Sequence, residues 1–180
     1  MVVYRETILE KSPEIEAKSP NNPNKLFIEV EPLEDGVYKA MVDGEIPSNI
    51  EVKAKNIELF KKLAEKGMDY DEAKTVAVIY NKSIFMDQTK GVQFLNEVIE
   101  MVRDAFREVM DDGPLAREPC MKVKVKLVDV DLHEDPVHRG QGQIMPAVRW
   151  GIRQGMLKAK ATMLEPRQIV RIDVPQELIG

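Results

Sequence analysis

The sequence predicts an α+β fold, a mixed sheet covered by helices. Three observations predict it. Four stretches, residues 2–8, 26–30, 75–86 and 122–132, carry the β-branched and aromatic residues or the two-residue alternation of strands. Residues 92–110 carry an apolar stripe at helical spacing. A further helix, from about Met145, presents two ridges four residues apart.

The elements follow in order. Val2, Val3, Tyr4, Arg5, Glu6, Thr7 and Ile8 read as a strand. Residues 18–25, with Pro20, Asn21, Asn22 and Pro23, form a loop, because Pro lacks a ladder donor and Asn favours turns. Residues 26–30 close a long hairpin around that loop and stop at Pro32. The signal is weaker from 34 to 70. There Ile57, Phe60 and Ala64 sit at helical spacing, with Gly67 placed to end the helix. Residues 71–74 read as a turn or short helix, and 75–86 as a strand kinked at Asn81-Lys82-Ser83.

The helix over 92–110 opposes Phe94, Val98, Met101, Val102, Ala105 and Val109 to Glu97, Glu100, Arg103, Asp104 and Arg107, and Asp112-Gly113-Pro114 stops it. In 122–132, Val123, Val125 and Leu127 alternate with three lysines, and then Val128, Val130 and Leu132 become the apolar set. A one-residue phase shift exchanges the two faces unless a bulge absorbs it, so a bulge or strong twist is expected near Leu127-Val128. Residues 133–142 read as a loop because of Pro136, Gly140 and Gly142. In the helix that follows, Pro146 suits the first turn, and Ala147, Gly151, Gly155 and Ala159 form a small ridge. Each interior Gly is up to ~1 kcal/mol less favourable than Ala, so the ridge implies very close packing by the sheet or the 92–110 helix. Pro166 ends this unit. Residues 1–164 are one domain; 165–180, with an alternating strand at 168–174, are the truncated start of another.

Composition sets limits. Hydrophobic residues make up 43 % and charged residues 32 % of 180, the balance of a soluble globular protein. There is neither a membrane-length apolar run nor a signal peptide, so no membrane partner is expected. Cys120 is the only cysteine, which excludes a disulfide framework and fits a reducing, cytoplasmic setting. The net charge of −5 argues against a general nucleic-acid coat. Residues 136–164, however, hold no acid, while Arg139, Arg149, Arg153, Lys158 and Lys160 all fall there, a local cationic end on an acidic body.

Candidate chemistry is sparse. His133 and His138, with Glu134 and Asp135, invite a metal reading. The zinc-protease pattern needs two His one helical turn apart, whereas these stand five residues apart with Pro136 between. Gly140-Gln141-Gly142-Gln143 resembles the start of a dinucleotide fingerprint without its third glycine. Glycines ahead of a helix expose N–H groups suited to an anion, and Arg139 adds a bidentate donor; a plain tight turn is the alternative. Lys122, Lys124 and Lys126 read as a solvated sheet face paired with neighbouring acids, with an RNA contact as the alternative. Trp150 reads as a semi-buried packing residue. No phosphate loop and no nucleophile–base pair is present, so neither GTP hydrolysis nor another enzymatic activity is expected of these residues.

One resemblance spans nearly the whole chain. His138-Arg139-Gly140-Gln141-Gly142-Gln143-Ile144-Met145-Pro146-Ala147, preceded by Leu132-His133-Glu134-Asp135, closely resembles a segment of the archaeal and eukaryotic elongation factor 2 family. Tyr4-Arg5-Glu6-Thr7, Lys18-Ser19-Pro20-Asn21, Asp87-Gln88-Thr89-Lys90-Gly91 and Gly113-Pro114-Leu115-Ala116 fall in the family's order. Gln141 stands where eukaryotic members carry Gly, and Asn22-Pro23 where they carry a basic residue and a His.

The resemblance implies the family's fourth domain, similar to the second domain of ribosomal protein S5, a mixed four-stranded type of sheet with helices on one side. Residues 165–180 then open the following ferredoxin-like domain. It implies a tip that enters the decoding A site on the ribosome's small subunit, where it contacts the tRNA–mRNA pair during translocation. His138 maps onto the histidine converted to diphthamide, which implies diphthamide-synthesis enzymes and ADP-ribosylating toxins as partners. The tip set is His133, Asp135, Val137, His138, Arg139, Gly140, Gln141, Gly142, Pro20, Asn21 and Asn22. GTP and Mg belong to a domain of the full factor that is absent here, and no cofactor is implied for these residues. The alternative is a stand-alone small enzyme or phosphate-ligand-binding protein on the same fold.

Overall fold

The computed structural model describes residues 3–176. Its elements run β1 (Arg5–Thr7), β2 (Ile15–Lys18), β3 (Lys25–Pro32), α1 (Asp35–Val42), β4 (Ile50–Glu51), α2 (Ile57–Glu65), α3 (Tyr70–Ala73), β5 (Val76–Tyr80), β6 (Ser83–Asp87), α4 (Leu95–Asp111), β7 (Val123–Asp131), a 3-10 turn (Pro136–Arg139), α5 (Gln141–Lys158) and β8 (Thr162–Leu164). Six strands form one mixed sheet in the order β2-β3-β7-β6-β5-β4; β1 and β8 pair separately. Only the β6–β7 pairing is parallel within that sheet. A parallel pair needs a crossover, and α4 supplies it.

Several sequence expectations change here. The hairpin partner of β3 is β2, which pairs Ile15 with Ile28 and Ala17 with Leu26. The 2–8 stretch instead yields β1, paired with β8, while Met1 and Val2 lie outside the described residues. The short β2 escaped notice because Pro13 and Pro20 bracket it. The expected kink at Asn81-Lys82 is a two-residue hairpin turn, with φ of 49° and 56°, joining two strands. A right-handed strand pair favours positive φ at both turn positions, and Asn tolerates it well. The bulge is borne out: Ile28 faces Leu127 and Phe27 faces Asp129, leaving Val128 as the extra residue.

Helix α4 starts at Leu95, because Phe94 adopts a left-handed φ of 64°. Helix α5 starts at Gln141, one turn before the predicted point, so Pro146 sits inside the helix and Gly142 belongs to it. Burial of Ile144, Met145 and Val148 holds this early turn in place. The expected strand at 168–174 is absent: the chain there has no regular structure, and Ile169, Val170 and Ile172 are exposed. Without a neighbour to receive its ladder bonds, an alternating stretch has nothing to make it a strand.

The long helices α4 and α5 cover one face of the sheet. Val98, Val102, Phe106, Val148, Ile152 and Met156 are buried there against Leu26, Ile28, Val30, Phe85 and Val125. The small ridge of α5 lies on the sheet. A Cβ on Gly151 would stand 2.9 Å from Ala17 Cβ and Ile28 Cδ1, and one on Gly155 would stand 3.1 Å from Val30 Cγ2. The opposite face of β5 and β6 carries a second core, where α1, α2 and α3 meet Val76, Ile79, Ile84 and Met86.

Beside this second core lies an ion cluster built around two buried lysines. Lys124, whose side chain is 3 % exposed, reaches Glu31, Glu34 and Glu72 at 2.9, 2.5 and 2.9 Å. Lys126 pairs with Glu31 and Glu72. The lysine stripe is therefore paired with acids, as expected; Lys122 stays partly solvated with the exposed Asp35, but Lys124 and Lys126 are sealed under α1 and α3. Burial opposes the charge on Lys124, yet the hydrogen bonds to the three carboxylates outweigh it and raise its pKa. Burial also pushes the Cys120 thiol well above its usual range, so that residue packs and does not react. No helix among the described residues is long and apolar enough to cross a membrane.

Candidate functional site

Two loops meet at one end of the molecule. The first joins β2 to β3 through Ser19–Asn24; the second joins β7 to α5 through the 3-10 turn. Pro136 opens that turn, and the Asp135 carboxylate accepts the Val137 N–H at 3.0 Å, a cap that satisfies one of the free amides. The fold thus lifts Val137 and His138 to the apex: Val137 is 80 % exposed and His138 is exposed.

The main chain of His138 is clamped while its ring is presented. Its carbonyl accepts from Asn24 Nδ2 at 2.7 Å and from Asn21 Nδ2 at 3.0 Å. Asn24 is fully buried, and its Oδ1 also accepts the His133 N–H at 3.0 Å. One amide side chain therefore ties both loops together. Asn21 adds a main-chain N–H to Gln143 Oε1 at 2.9 Å. His133 Nδ1 accepts the Asp135 N–H at 3.0 Å, which fixes its ring, and the two imidazoles meet edge to face with centroids 4.7 Å apart. Asn24 was not singled out from the sequence; within a loop rich in Asn and Pro nothing distinguishes it.

Arg139 departs from the outward-facing set. It is 3 % exposed and turned inward. Its Nε and Nη2 donate to Glu97 Oε2 at 3.0 and 2.7 Å, and its Nη1 to the carbonyls of His133 and Glu134 at 2.7 and 2.6 Å. The guanidinium lies 4.1 Å over the Phe94 ring. Its donors brace the loop and do not face a phosphate. Three of the other four cations of the acid-free stretch are also paired, while Lys158 is exposed. Arg149 pairs with Glu108 at 2.6 Å, Arg153 with Asp112 at 2.8 Å, and Lys160 with Glu10. The local cationic end expected from the sequence is partly neutralised, by Glu97 and Glu108 of α4, by Asp112 just after it and by Glu10. Next to the tip, Lys90, Asp129, Asp131 and Glu134 line an acidic groove.

The remaining tip residues keep their expected exposure. Pro20, Asn21, Asn22, Asp135, Gln141 and Gly142 are exposed, and His133 and Gly140 are partly so. Among the described residues no group of three or more His, Cys, Asp or Glu is disposed to hold a metal ion. Trp150, expected to be semi-buried, is 51 % exposed beside Pro146 and Pro20.

Known proteins match this sequence. The family model described as elongation factor G, domain IV, matches residues 46–160. Elongation factor 2 of Thermococcus sibiricus is 51 % identical over 180 residues, covering 100 % of this chain and 24 % of the relative. Elongation factor 2 of Pyrococcus horikoshii is 51 % identical over 181 residues and that of Thermococcus onnurineus 49 % over 180, with the same coverage. The chain spans about a quarter of the length of these relatives, 24 % in each case.

Proposed function

The chain belongs to the elongation factor G domain IV family, and from that premise we propose that it acts as the tip domain of an archaeal-type elongation factor 2. In this reading the His138 apex enters the ribosomal A site, on the small subunit, where it contacts the tRNA–mRNA pair during translocation. His138 is the residue converted to diphthamide, so diphthamide-synthesis enzymes act on it and ADP-ribosylating toxins recognise the product. GTP and Mg serve another part of the longer factor, and these residues carry no hydrolytic role. Residues 165–180 lead into a following ferredoxin-like domain, for which the exposed Ile169, Val170, Ile172 and Val174 are the apolar material. The setting is the cytoplasm.

One observation carries the reading. The His138 carbonyl is held by two amides from the neighbouring loop, so the backbone is rigid while the imidazole projects into solvent. An enzyme that modifies a side chain, and a ribosomal site that receives it, both need that presentation. The charge balance supports it. With Arg139 turned inward and acids at 129, 131 and 134, the plain tip has little to offer a phosphate, and a cationic modification of His138 reverses this. The alternative, a phosphate-ligand protein built on the Gly140 turn, loses the guanidinium it relied on.

The test is peptide mass spectrometry over residues 137–139 of protein from its native host, paired with sedimentation on small subunits. Diphthamide mass at His138 and salt-sensitive binding are expected, with affinity falling as counterions compete. Plain histidine together with no salt-sensitive binding overturns the proposal.

A further inference from the structure

We propose that the groove beside Trp150 seats an unpaired base of single-stranded RNA, a second contact flanking the His138 tip. The proposal rests on the reading above for the source of the RNA, not for the chemistry of the groove. Glu16, Lys18, Pro20, Pro146 and Trp150 line a groove of about 400 Å³, within the ~300–1,000 Å³ of small-ligand clefts. Its wall is an exposed indole between two prolines, and bases stack on aromatic faces in a sequence-tolerant way.

The other wall is the free edge of the sheet. Strand β2 pairs on one side only. Its register sets Ile15 against Ile28 and Ala17 against Leu26, and the Ser19 N–H donates to the Asn24 carbonyl. Antiparallel alternation then turns the N–H and C=O of Glu16 and Lys18 outward, where donors and acceptors for a base edge are needed.

Charge selects the occupant. Lys18 and Lys25 each stand 3.8 Å from the one Glu16 carboxylate, beyond hydrogen-bonding distance, so two ammonium groups share a single acid. The flank with Asp129, Asp131 and Glu134 is acidic. A polyanion near His138 is therefore drawn toward Trp150 and repelled from the other side. The groove is also continuous with the tip, since Pro20 precedes Asn21, which binds the His138 carbonyl. A peptide adding to the edge suits this place less: β2 has four residues, is bracketed by Pro13 and Pro20, and carries Glu16 and Lys18, features that blunt strand pairing.

Trp150 is the single tryptophan, so its emission reports on this groove alone. Titration of the 180-residue chain with a uridylate hexamer is expected to quench that emission saturably and less at higher salt. Trp150→Ala should weaken binding of the labelled hexamer roughly ten-fold, as for loss of one stacked base. Lys18→Glu, which keeps the fluorophore, should weaken quenching without altering emission of the free protein. Hexamer binding without quenching, or unchanged in Trp150→Ala, overturns the proposal, as does quenching by an uncharged extended peptide and not by RNA. The two readings fail separately. Small-subunit binding with no hexamer quenching sinks only the groove, and quenching with no small-subunit binding sinks only the ribosomal role.

Discussion

At the scale of single residues, Arg139 shows how one side chain serves a site from behind it. A guanidinium fork fits a phosphate, but it fits a carboxylate and two carbonyls equally well, and only the fold decides between them. Arg139→Lys keeps the charge and loses the fork, so a single ammonium nitrogen must replace three guanidinium nitrogens spread between Glu97 and the carbonyls of His133 and Glu134. We expect a loss of about 3 kcal/mol in urea unfolding, the order seen when a buried charged network is broken. Hydrogen exchange should locate the loosening in residues 133–139. Asn24→Ala should cost about 1–3 kcal/mol, because it strips partners from Ser19, His133 and His138 at once. Under the proposed function it should also lower the fraction of His138 converted to diphthamide, read by the same mass spectrometry. The exposed place of His138 between the strand and the last helix was legible, because Pro136, Gly140 and Gly142 mark a loop there. The inward turn of Arg139 was not, because its partner Glu97 lies 42 positions away and looks like any exposed helix acid.

At the scale of elements, the two glycines of α5 were legible as a contact but not as a contact with a particular surface. Helical spacing fixes which residues share a ridge and leaves open what the ridge meets. The sheet wins, and it meets the two glycines unequally. Gly151→Ala puts a methyl 2.9 Å from Ala17 Cβ and Ile28 Cδ1, whereas Gly155→Ala faces Val30 at 3.1 Å. Overpacking costs about 1–3 kcal/mol, against a helix-propensity gain of up to ~1 kcal/mol. We therefore expect Gly151→Ala to destabilise and Gly155→Ala to lie near neutral in thermal unfolding. The β5–β6 turn offers the reverse case. Lys82 holds a positive φ of 56° at a position suited to glycine, and its backbone bonds do not need its side chain. Lys82→Gly should raise stability by roughly 0.5–1 kcal/mol. The hairpin was missed because a turn of only two residues leaves the apolar run almost continuous.

At the scale of the whole molecule, the charges that looked like a surface for a partner are mostly internal ties. Arg139 fastens the tip loop to α4, Arg149 and Arg153 fasten α5 to α4 and to Asp112 just after it, and Lys124 and Lys126 fasten the sheet to the layer of α1 and α3. Sequence shows the sign and order of charges but not which acids fold back onto them. The ion cluster makes a pH prediction. Glu31 is opposed by burial but held below the ordinary 4.5 by hydrogen bonds from Lys126 and Lys124. A carboxyl whose folded pKa is depressed stabilises above its unfolded value and loses that contribution as pH falls through the folded one. Lys124 has the opposite sign: its raised pKa contributes below 10.5 and fails only as pH rises above that. Lys124→Met leaves three partly buried carboxylates against Lys126 alone, so at pH 7 it should cost about 3 kcal/mol in urea unfolding. Protonation of Glu31 removes part of the reason for the loss, so the gap between the two proteins should narrow as pH drops below 4.5. A gap that stayed constant from pH 7 through that window would mean that Lys124 contributes by packing its alkyl stem and not by its charge.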